Sequence, residues 1–264
     1  MDLQLKGKTA FISGSTQGIG FAAAKLLLQE GATVIINGRT EARVKEAVQK
    51  LKDLVPNCPV SGIAADFTKL DDVEQLMEKL PSIDILVNNA GIFEPKAFED
   101  IPDEDWYRFF EVNVMSGVRL SRHFFPKMIA NNWGRIIFIS SESSIMIPSE
   151  MIHYGMTKTA QLAVSRGLAE RTKNTGVTVN TILPGPTKSE GVVDFLAKLA
   201  TEQGVTPEIA EKNFFRDMRP SSLLQRFADV SEIASMIAYI ASPLSSATNG
   251  AAIRVEGGLV PTIY

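Results

Sequence analysis

Short apolar runs alternate with longer segments of helical composition along the first third of the chain. Apolar runs that end at small or polar residues are typical of buried strands. The intervening segments carry apolar residues at helical spacing and end near Gly or Pro, which predicts helices. The predicted strands are 9–13, 32–37, 60–65 and 83–87, and the predicted helices are 21–30, 41–54 and 70–80.

The same alternation continues toward the C-terminus with one interruption. Strands and helices that alternate at this spacing favour a parallel sheet whose right-handed crossovers place helices on both faces. We therefore predict the α/β class and a doubly wound Rossmann fold with a mostly parallel sheet. The later strands are predicted at 135–139, 178–183 and 252–255, and the later helices at 102–129, from Tyr154 onward and at 229–241.

Residues 187–220 interrupt this alternation. Apolar positions within 192–199 predict one amphipathic helix, and Phe214, Phe215 and Met218 add apolar side chains beyond it. A long excursion after the end of a strand is a candidate substrate lid, and a surface helical insertion is the alternative. Because no repeat or linker divides the chain, we predict one domain over residues 1–264 with the lid at about 187–220.

The composition and charge of the chain argue against nucleic-acid and membrane partners. The 264 residues are 45% hydrophobic and 22% charged, and the net charge of −3 provides no basic excess for nucleic acid or an anionic membrane. The N-terminus lacks a signal-peptide pattern, and no apolar run is long enough to span a membrane. These features predict a cytoplasmic protein without nucleic-acid or membrane partners.

The metal-binding and redox residues are few. One cysteine, Cys58, excludes an intramolecular disulfide and fits a reducing compartment. Together with His123 and His153 it cannot form a metal cluster, and no acidic constellation suggests a carboxylate site. We predict no metal site.

A glycine-rich loop follows the first predicted strand and precedes the first predicted helix. Small residues in this context let the backbone approach a pyrophosphate, while the helix N-terminus presents free N–H groups to it. A tight turn without a ligand is the alternative. The candidate phosphate-binding residues are Gly14, Ser15, Thr16, Gln17, Gly18, Ile19 and Gly20.

The end of the second predicted strand bears on the choice of cofactor. An acid at this place would favour NAD(H), whereas an arginine accommodates the 2′-phosphate of NADP(H). The chain has Asn37 and Arg39 here, with no acid before Glu41. We therefore predict that NADP(H) is preferred and that NAD(H) is possible. Arg39 as a solvated surface charge is the alternative.

Further polar and small residues fall at the carboxyl ends of the predicted strands, where ligands bind in parallel sheets. Asn113 is a polar residue within an apolar helical stripe, so its amide needs partners. Turn chemistry is the alternative for the asparagines that follow a strand. The candidate rim residues are Asp66, Phe67, Asn88, Asn89, Ala90 and Gly91, with Ser140 and Ser141 after the fifth strand.

Tyr154 and Lys158 are four residues apart, and Ser141 precedes the tyrosine by thirteen residues. On a helix the two side chains would share one face. Lowering a phenol pKa from about 10 to about 7 requires roughly 4 kcal/mol. An ammonium at about 4–5 Å supplies that at an effective dielectric of about 20. A buried tyrosine beside a solvated lysine is the alternative.

The packed face of the helix after Tyr154 is predicted from its small and apolar residues. These are Met156, Ala160, Ala163, Val164, Gly167 and Leu168.

Taken together, residues 6–258 resemble the short-chain dehydrogenase/reductase family in its compact single-domain form, similar to 3-oxoacyl-carrier-protein reductases. The ordered set of motifs carries the resemblance, because each falls on the expected element. The set is Ser13-Gly14-x3-Gly18-Ile19-Gly20, Asp66, Asn88-Asn89-Ala90-Gly91, Asn113, Ser141, Tyr154-x3-Lys158 and Pro184-Gly185.

The resemblance implies a role for each matching residue. Tyr154 would be the general acid or base, Ser141 would hold the substrate oxygen, and Lys158 would bind the nicotinamide ribose and lower the Tyr154 pKa. Asn113 would support a water relay to Lys158, and Asp66 would contact the adenine. The resemblance also implies a seven-stranded sheet and a homo-oligomer, a tetramer or a dimer.

Some positions differ from the family pattern. Thr187 and Ser189 follow Pro184 and Gly185 where other residues are common, so they are candidate nicotinamide contacts of a less usual kind. Ser143 is the alternative to Ser141 for holding the substrate oxygen. Phe195 and Phe214 of the candidate lid are assigned to a partly apolar substrate pocket.

The combined prediction is an NADP(H)-dependent oxidoreductase that interconverts a carbonyl and a secondary alcohol of a small-molecule substrate. A non-catalytic NADP(H)-binding sensor or scaffold is one alternative. An NAD(H)-preferring alcohol dehydrogenase is the other.

Overall fold

The computed structural model describes residues 2–263, which form one seven-stranded sheet in the order β3-β2-β1-β4-β5-β6-β7. All neighbouring strands pair in parallel. The doubly wound α/β fold is therefore confirmed. The strands are β1 Thr9–Ile12, β2 Thr33–Gly38, β3 Val60–Ala64, β4 Ile85–Asn88, β5 Gly134–Ile139, β6 Val177–Pro184 and β7 Ala252–Val255.

The helices follow the predicted order with two refinements. The predicted helix over 102–129 is divided by a π-helical turn, Glu111–Met115, and the candidate lid contains two helices rather than one. The helices are α1 Gly18–Gln29, α2 Glu41–Leu54, α3 Leu70–Lys79, α4 Asp103–Phe110, α5 Ser116–Ala130, α6 Ile152–Glu170, α7 Glu190–Gln203, α8 Pro207–Asp217 and α9 Val230–Ala241.

The sheet separates two apolar clusters because successive strand residues point to opposite faces. Ile12 of β1 packs in a cluster with Leu27 of α1 and Ile237 of α9. Its neighbour Phe11 packs on the other face with Phe124 of α5. In the described part of the chain, no helix is long and apolar enough to cross a membrane.

The central strand β1 pairs with β2 on one side and β4 on the other. The strand order reverses direction at this point, and the crevice that forms there is the usual ligand position in open α/β sheets. The glycine-rich loop leaves β1 directly into this crevice.

The predicted packed face of α6 is right for Val164 and Leu168, which pack against the core, and wrong for two of its other residues. Ala163 and Gly167 are exposed, whereas Thr157, Lys158 and Gln161 are buried. This face packs against β6 and the Glu111–Met115 turn, where its polar groups find partners. A helix that carries a functional site buries polar residues, so apolar composition alone misplaces its inner face.

Candidate active site

The loop from Gly14 to Gly20 is held tightly against the strand ends. Gly14 and Gly18 both have φ of +60°, a conformation that favours glycine. A Cβ at Gly20 would lie 2.5 Å from Asn89 Nδ2, so only glycine fits beside that amide. α1 begins at Gly18, three residues earlier than predicted, which brings the helix N-terminus into the loop.

Two asparagine side chains hold the glycine-rich loop through hydrogen bonds to its backbone. Asn37 Oδ1 accepts the Gly14 N–H at 3.0 Å, and its Nδ2 donates to Ile63 O at 3.1 Å. Asn89 Nδ2 donates to Ser13 O at 3.0 Å and to Gly14 O at 2.8 Å. The amides of both side chains thus form their hydrogen bonds within the protein. They would contribute to a cofactor site by holding the loop in shape.

The remaining predicted rim residues lie close to this loop or beneath it. Asn88 Nδ2 donates to Ser121 Oγ at 3.0 Å, and Ala90 N donates to Ser13 Oγ at 2.9 Å. Asp66 accepts from Thr68 after β3, while Phe67 is buried in the core with α3. The Asp66 carboxylate therefore stands at the sheet edge, and the Phe67 ring is a packing residue.

Two arginines stand beside the loop at the start of α2. Arg39 is exposed after β2, and Arg43 Nη2 donates to Gln17 Oε1 at 3.2 Å. Arg43 was missed in the sequence, although it lies in the first turn of α2, four residues after Arg39. Both arginines are exposed near the end of β2, where an NADP(H) 2′-phosphate would bind.

Ser141, Tyr154 and Lys158 converge on one cavity of about 430 Å³. Ser141 follows β5, while Tyr154 and Lys158 lie one turn apart on α6, with the lysine nitrogen 5.6 Å from the tyrosine ring centre. The predicted substrate residues Ser143, Phe195 and Phe214 line the same cavity.

Lys158 is buried, and its Nζ donates to Ile139 O at 3.0 Å. Burial lowers the pKa of Lys158 to about 8, against a smaller raising effect of the nearby Glu142. The ammonium is therefore charged at neutral pH and begins to lose its proton just above it.

The pKa of Tyr154 is shifted in the opposite direction from the sequence-based expectation. Desolvation in the cavity raises this pKa, Glu142 raises it further when its carboxyl is ionised, and a hydrogen bond with Ser141 opposes them. The lysine charge does not overcome this desolvation in the protein alone. A phenol that stays protonated at neutral pH is the form that acts as a general acid.

Asn113 lies in the π-helical turn, and a Cβ on Gly91 would lie 3.5 Å from its Oδ1 and 3.4 Å from Lys158 Nζ. Its Oδ1 accepts the Ile92 N–H at 2.8 Å, and its Nδ2 donates to Thr157 Oγ1 at 2.9 Å. The side-chain amide of Gln161 donates to the Asn113 carbonyl oxygen. Gln161 was missed in the sequence, and its polar side chain three residues after Lys158, on the same side of the helix, is the signal that could have identified it.

The segment after β6 closes over the glycine-rich loop. Gly185 lies against the Glu256 backbone, and Thr187 Oγ1 donates to Gly185 O at 2.8 Å. Ser189 precedes α7, whose first residue Glu190 accepts the Gly18 N–H at 2.9 Å. Pro184, Thr187 and Ser189 line the cavity, so this segment connects the loop to the candidate catalytic side chains.

The cavity has one polar wall and one apolar wall. Glu142 and Ser143 lie on the polar wall with Arg219, whose Nη2 donates to Glu150 at 3.0 Å. Phe195 and Phe214 form the apolar wall, with ring centres 6.2 Å apart. A small molecule with both polar and apolar parts fits such a cavity.

Several known proteins have sequences similar to that of this chain. The family model described as short chain dehydrogenase matches residues 8–199. The oxidoreductase YvaG of Bacillus subtilis is 48% identical over 100% of both chains. The 3-oxoacyl-[acyl-carrier-protein] reductase FabG of Aquifex aeolicus is 30% identical over 98% of this chain and 100% of its own.

A solved structure extends the similarity to the whole fold. The L-sorbose reductase of Gluconobacter frateurii, crystallised with NADPH and L-sorbose, superposes with a TM-score of 0.93. It is 29% identical and covers 100% of both chains.

Proposed function

The chain belongs to the short-chain dehydrogenase/reductase family, and from this premise we propose that it is an NADP(H)-dependent oxidoreductase that interconverts a carbonyl and a secondary alcohol. The family makes it an oxidoreductase. The observation that carries the finer proposal is the convergence of Ser141, Tyr154 and Lys158 on one cavity beside the glycine-rich loop. The relative crystallised with NADPH supports the choice of cofactor.

The residues present fit a dinucleotide. The glycine-rich loop and the N-terminus of α1 would hold the diphosphate, Arg39 and Arg43 the 2′-phosphate, and Lys158 the nicotinamide ribose. When bound, the cofactor supplies or accepts the hydride. Tyr154 donates the proton to the carbonyl oxygen in reduction, and Ser141 holds that oxygen by a hydrogen bond.

The reduction direction suits the protonated phenol. Tyr154 is neutral at physiological pH, since an ordinary phenol is already protonated there and desolvation raises its pKa further, so the proton is in place before the substrate arrives. The Lys158 ammonium then stabilises the phenolate that remains after proton transfer. Oxidation of an alcohol requires the phenolate first, and it is favoured at higher pH.

The lid, the location and the assembly of the protein complete the proposal. α7 and α8 pack on each other through Leu196, Phe214 and Phe215, which supports a unit that closes over the cavity.

The small residues exposed on α6 support a homo-oligomer, and light scattering of the purified protein tests it. We place the protein in the cytoplasm.

The decisive experiment is a panel of small carbonyl compounds followed through NADPH absorbance, with NADH measured in parallel. The panel contains hydroxylated ketones, 3-oxoacyl thioesters and simple aldehydes, because the cavity has one polar and one apolar wall. Turnover with at least one class supports the proposal. Binding of NADPH without turnover over the whole panel would instead support a non-catalytic sensor.

Substitution of Glu190 is expected to strengthen cofactor binding. Its carboxylate accepts from Gly18 N–H, one of the donors that a diphosphate needs, and two anions cannot share that helix N-terminus. Glu190→Gln should lower the NADPH Kd by about threefold to fivefold, roughly 0.7–1 kcal/mol. Fluorescence titration measures this, with Glu202→Gln on the same helix as the control. An unchanged or higher Kd contradicts the prediction.

The pH dependence of cofactor binding should follow Lys158. The ammonium form donates to the ribose hydroxyls, and its pKa of about 8 means that this charge is lost as pH rises through 8. NADPH affinity should therefore be constant between about pH 7 and 8, where the 2′-phosphate is also ionised, and fall above that range. Lys158→Met should bind NADPH weakly and without this pH dependence. A wild-type profile that stays flat well above pH 8 contradicts the assignment.

A further inference from the structure

Glu142 is a carboxylate in the cavity to which the proposed reaction assigns no role. It begins a 3₁₀ turn, Glu142–Ser144, directly after β5, and only 6% of it is exposed. One carboxylate oxygen, Oε2, is hydrogen-bonded to the Ser141 hydroxyl, and Oε1 lies 3.3 Å from Ser143 Oγ. A buried carboxylate costs free energy, so its place beside the serine that would hold the substrate requires an explanation.

The hydrogen bonds of Ser141 are limited to one donated proton and two accepted ones. Its oxygen already accepts the Ser143 N–H at 3.1 Å. An ionised Glu142 can only accept, so it would take the single Ser141 proton and leave none for the substrate oxygen. A neutral Glu142 can donate to Ser141, which fills the second lone pair and leaves the serine proton free.

We propose that Glu142 is a positioning residue. Its neutral carboxyl group donates a hydrogen bond to Ser141 Oγ and thereby directs the Ser141 hydroxyl toward the substrate carbonyl oxygen. This inference rests on the proposed function, because it concerns the reduction of a carbonyl. Ser143 Oγ, which lies near the other oxygen of Glu142, fixes the carboxyl group in the required orientation. Ser143 thus supports Ser141 through Glu142 and does not replace it.

The surroundings of Glu142 are compatible with a protonated, neutral carboxyl group. Burial raises the pKa of Glu142, while the Ser141 hydrogen bond, the Arg219 charge and the Ser143 hydrogen bonds act in the opposite direction. Arg219, which follows α8, is itself paired with Glu150, so its charge is shared. The other cavity groups that face Glu142 lie on α6 and are the neutral phenol of Tyr154 and the Lys158 ammonium.

Two substitutions separate the neutral carboxyl from the carboxylate. Glu142→Gln has an amide that donates to Ser141 at every pH, whereas Glu142→Ala has no donor. We expect the reduction kcat of Glu142→Gln to stay within about threefold of the wild type between about pH 5.5 and 7.5, where Lys158 remains charged. Glu142→Ala should lose about tenfold in kcat with little change in the NADPH KM. Glu104→Gln, on the exposed surface of α4, controls for loss of a charge.

The effect of substituting Glu142 should depend on the presence of the Ser141 hydroxyl. In a Ser141→Ala background, Glu142→Gln and Glu142→Ala should reduce substrate at rates within about twofold of each other, because the group that Glu142 positions is gone. A tenfold loss in Glu142→Gln at all pH values in a folded protein overturns the inference. So does an undiminished difference between the two variants in the Ser141→Ala background.

A measurement without turnover separates this inference from the proposed function. Infrared difference spectra of the NADPH complex, wild type minus Glu142→Gln, should show the C=O stretch of a protonated carboxyl at neutral pH. Only carboxylate bands would overturn the inference, even if Glu142→Ala fails to fold. If the wild type binds NADPH and reduces nothing, the proposed function fails, while the infrared band still decides whether Glu142 carries the proton.

Discussion

Tyr154→Phe is expected to reduce turnover by about a thousandfold, roughly 4 kcal/mol in the barrier, while NADPH binding changes by less than about threefold. The substitution removes only the hydroxyl. The ring keeps its edge contact with Phe93, whose centre lies 6.4 Å away, so the cavity keeps its shape. The loss should appear in kcat because the proton is transferred only in the reaction itself.

The matched control for this experiment is Tyr107→Phe. Tyr107 lies on α4 with 74% of its surface exposed, so removal of its hydroxyl should leave kcat unchanged. Single-turnover mixing of the NADPH complex with substrate isolates the chemical step from product release. If Tyr154→Phe retains more than about a tenth of the wild-type rate, another group is the acid and the proposed mechanism is wrong.

The strands and the order of the fold could be predicted because parallel strands buried on both faces are continuous apolar runs. β2 and β5, for example, lie within one residue of their predicted bounds. The second lid helix was not predicted, although its start carries a local signal. Thr206 accepts from Ile209 N as the N-cap, and Pro207 occupies the first helical position.

The contacts that refine the candidate site join residues distant in sequence. Glu190 reaches Gly18 across 172 positions, and Arg219 reaches Glu150 across 69. No periodicity encodes such pairs, since they depend on how α7, α8 and the loops pack together. The direction of the Tyr154 pKa shift was mispredicted for a related reason. Desolvation depends on every atom around the phenol, whereas the sequence revealed only the lysine.

Removal of both Arg39 and Arg43 is expected to abolish the preference for NADP(H). Each guanidinium that pairs with a phosphate contributes about 1.5–3 kcal/mol through charge-assisted hydrogen bonds, and exposure of both groups favours the lower value. The double substitution to alanine should therefore lower kcat/KM for NADPH by about a hundredfold, roughly 3 kcal/mol, and leave kcat/KM for NADH nearly unchanged.

The single substitutions show whether the two arginines share this role. Arg39 follows β2, whereas Arg43 is held over the loop by Gln17, so Arg43→Ala should lose about tenfold with NADPH if it contributes equally. Lys45→Ala, an exposed cation on the same helix, controls for the general loss of positive charge. Because paired ions are screened, the advantage of NADPH over NADH should shrink with added salt in the wild type and stay constant in the double variant. Equal losses with NADPH and NADH would instead indicate that the arginines support the loop through Gln17, and the 2′-phosphate assignment would be wrong.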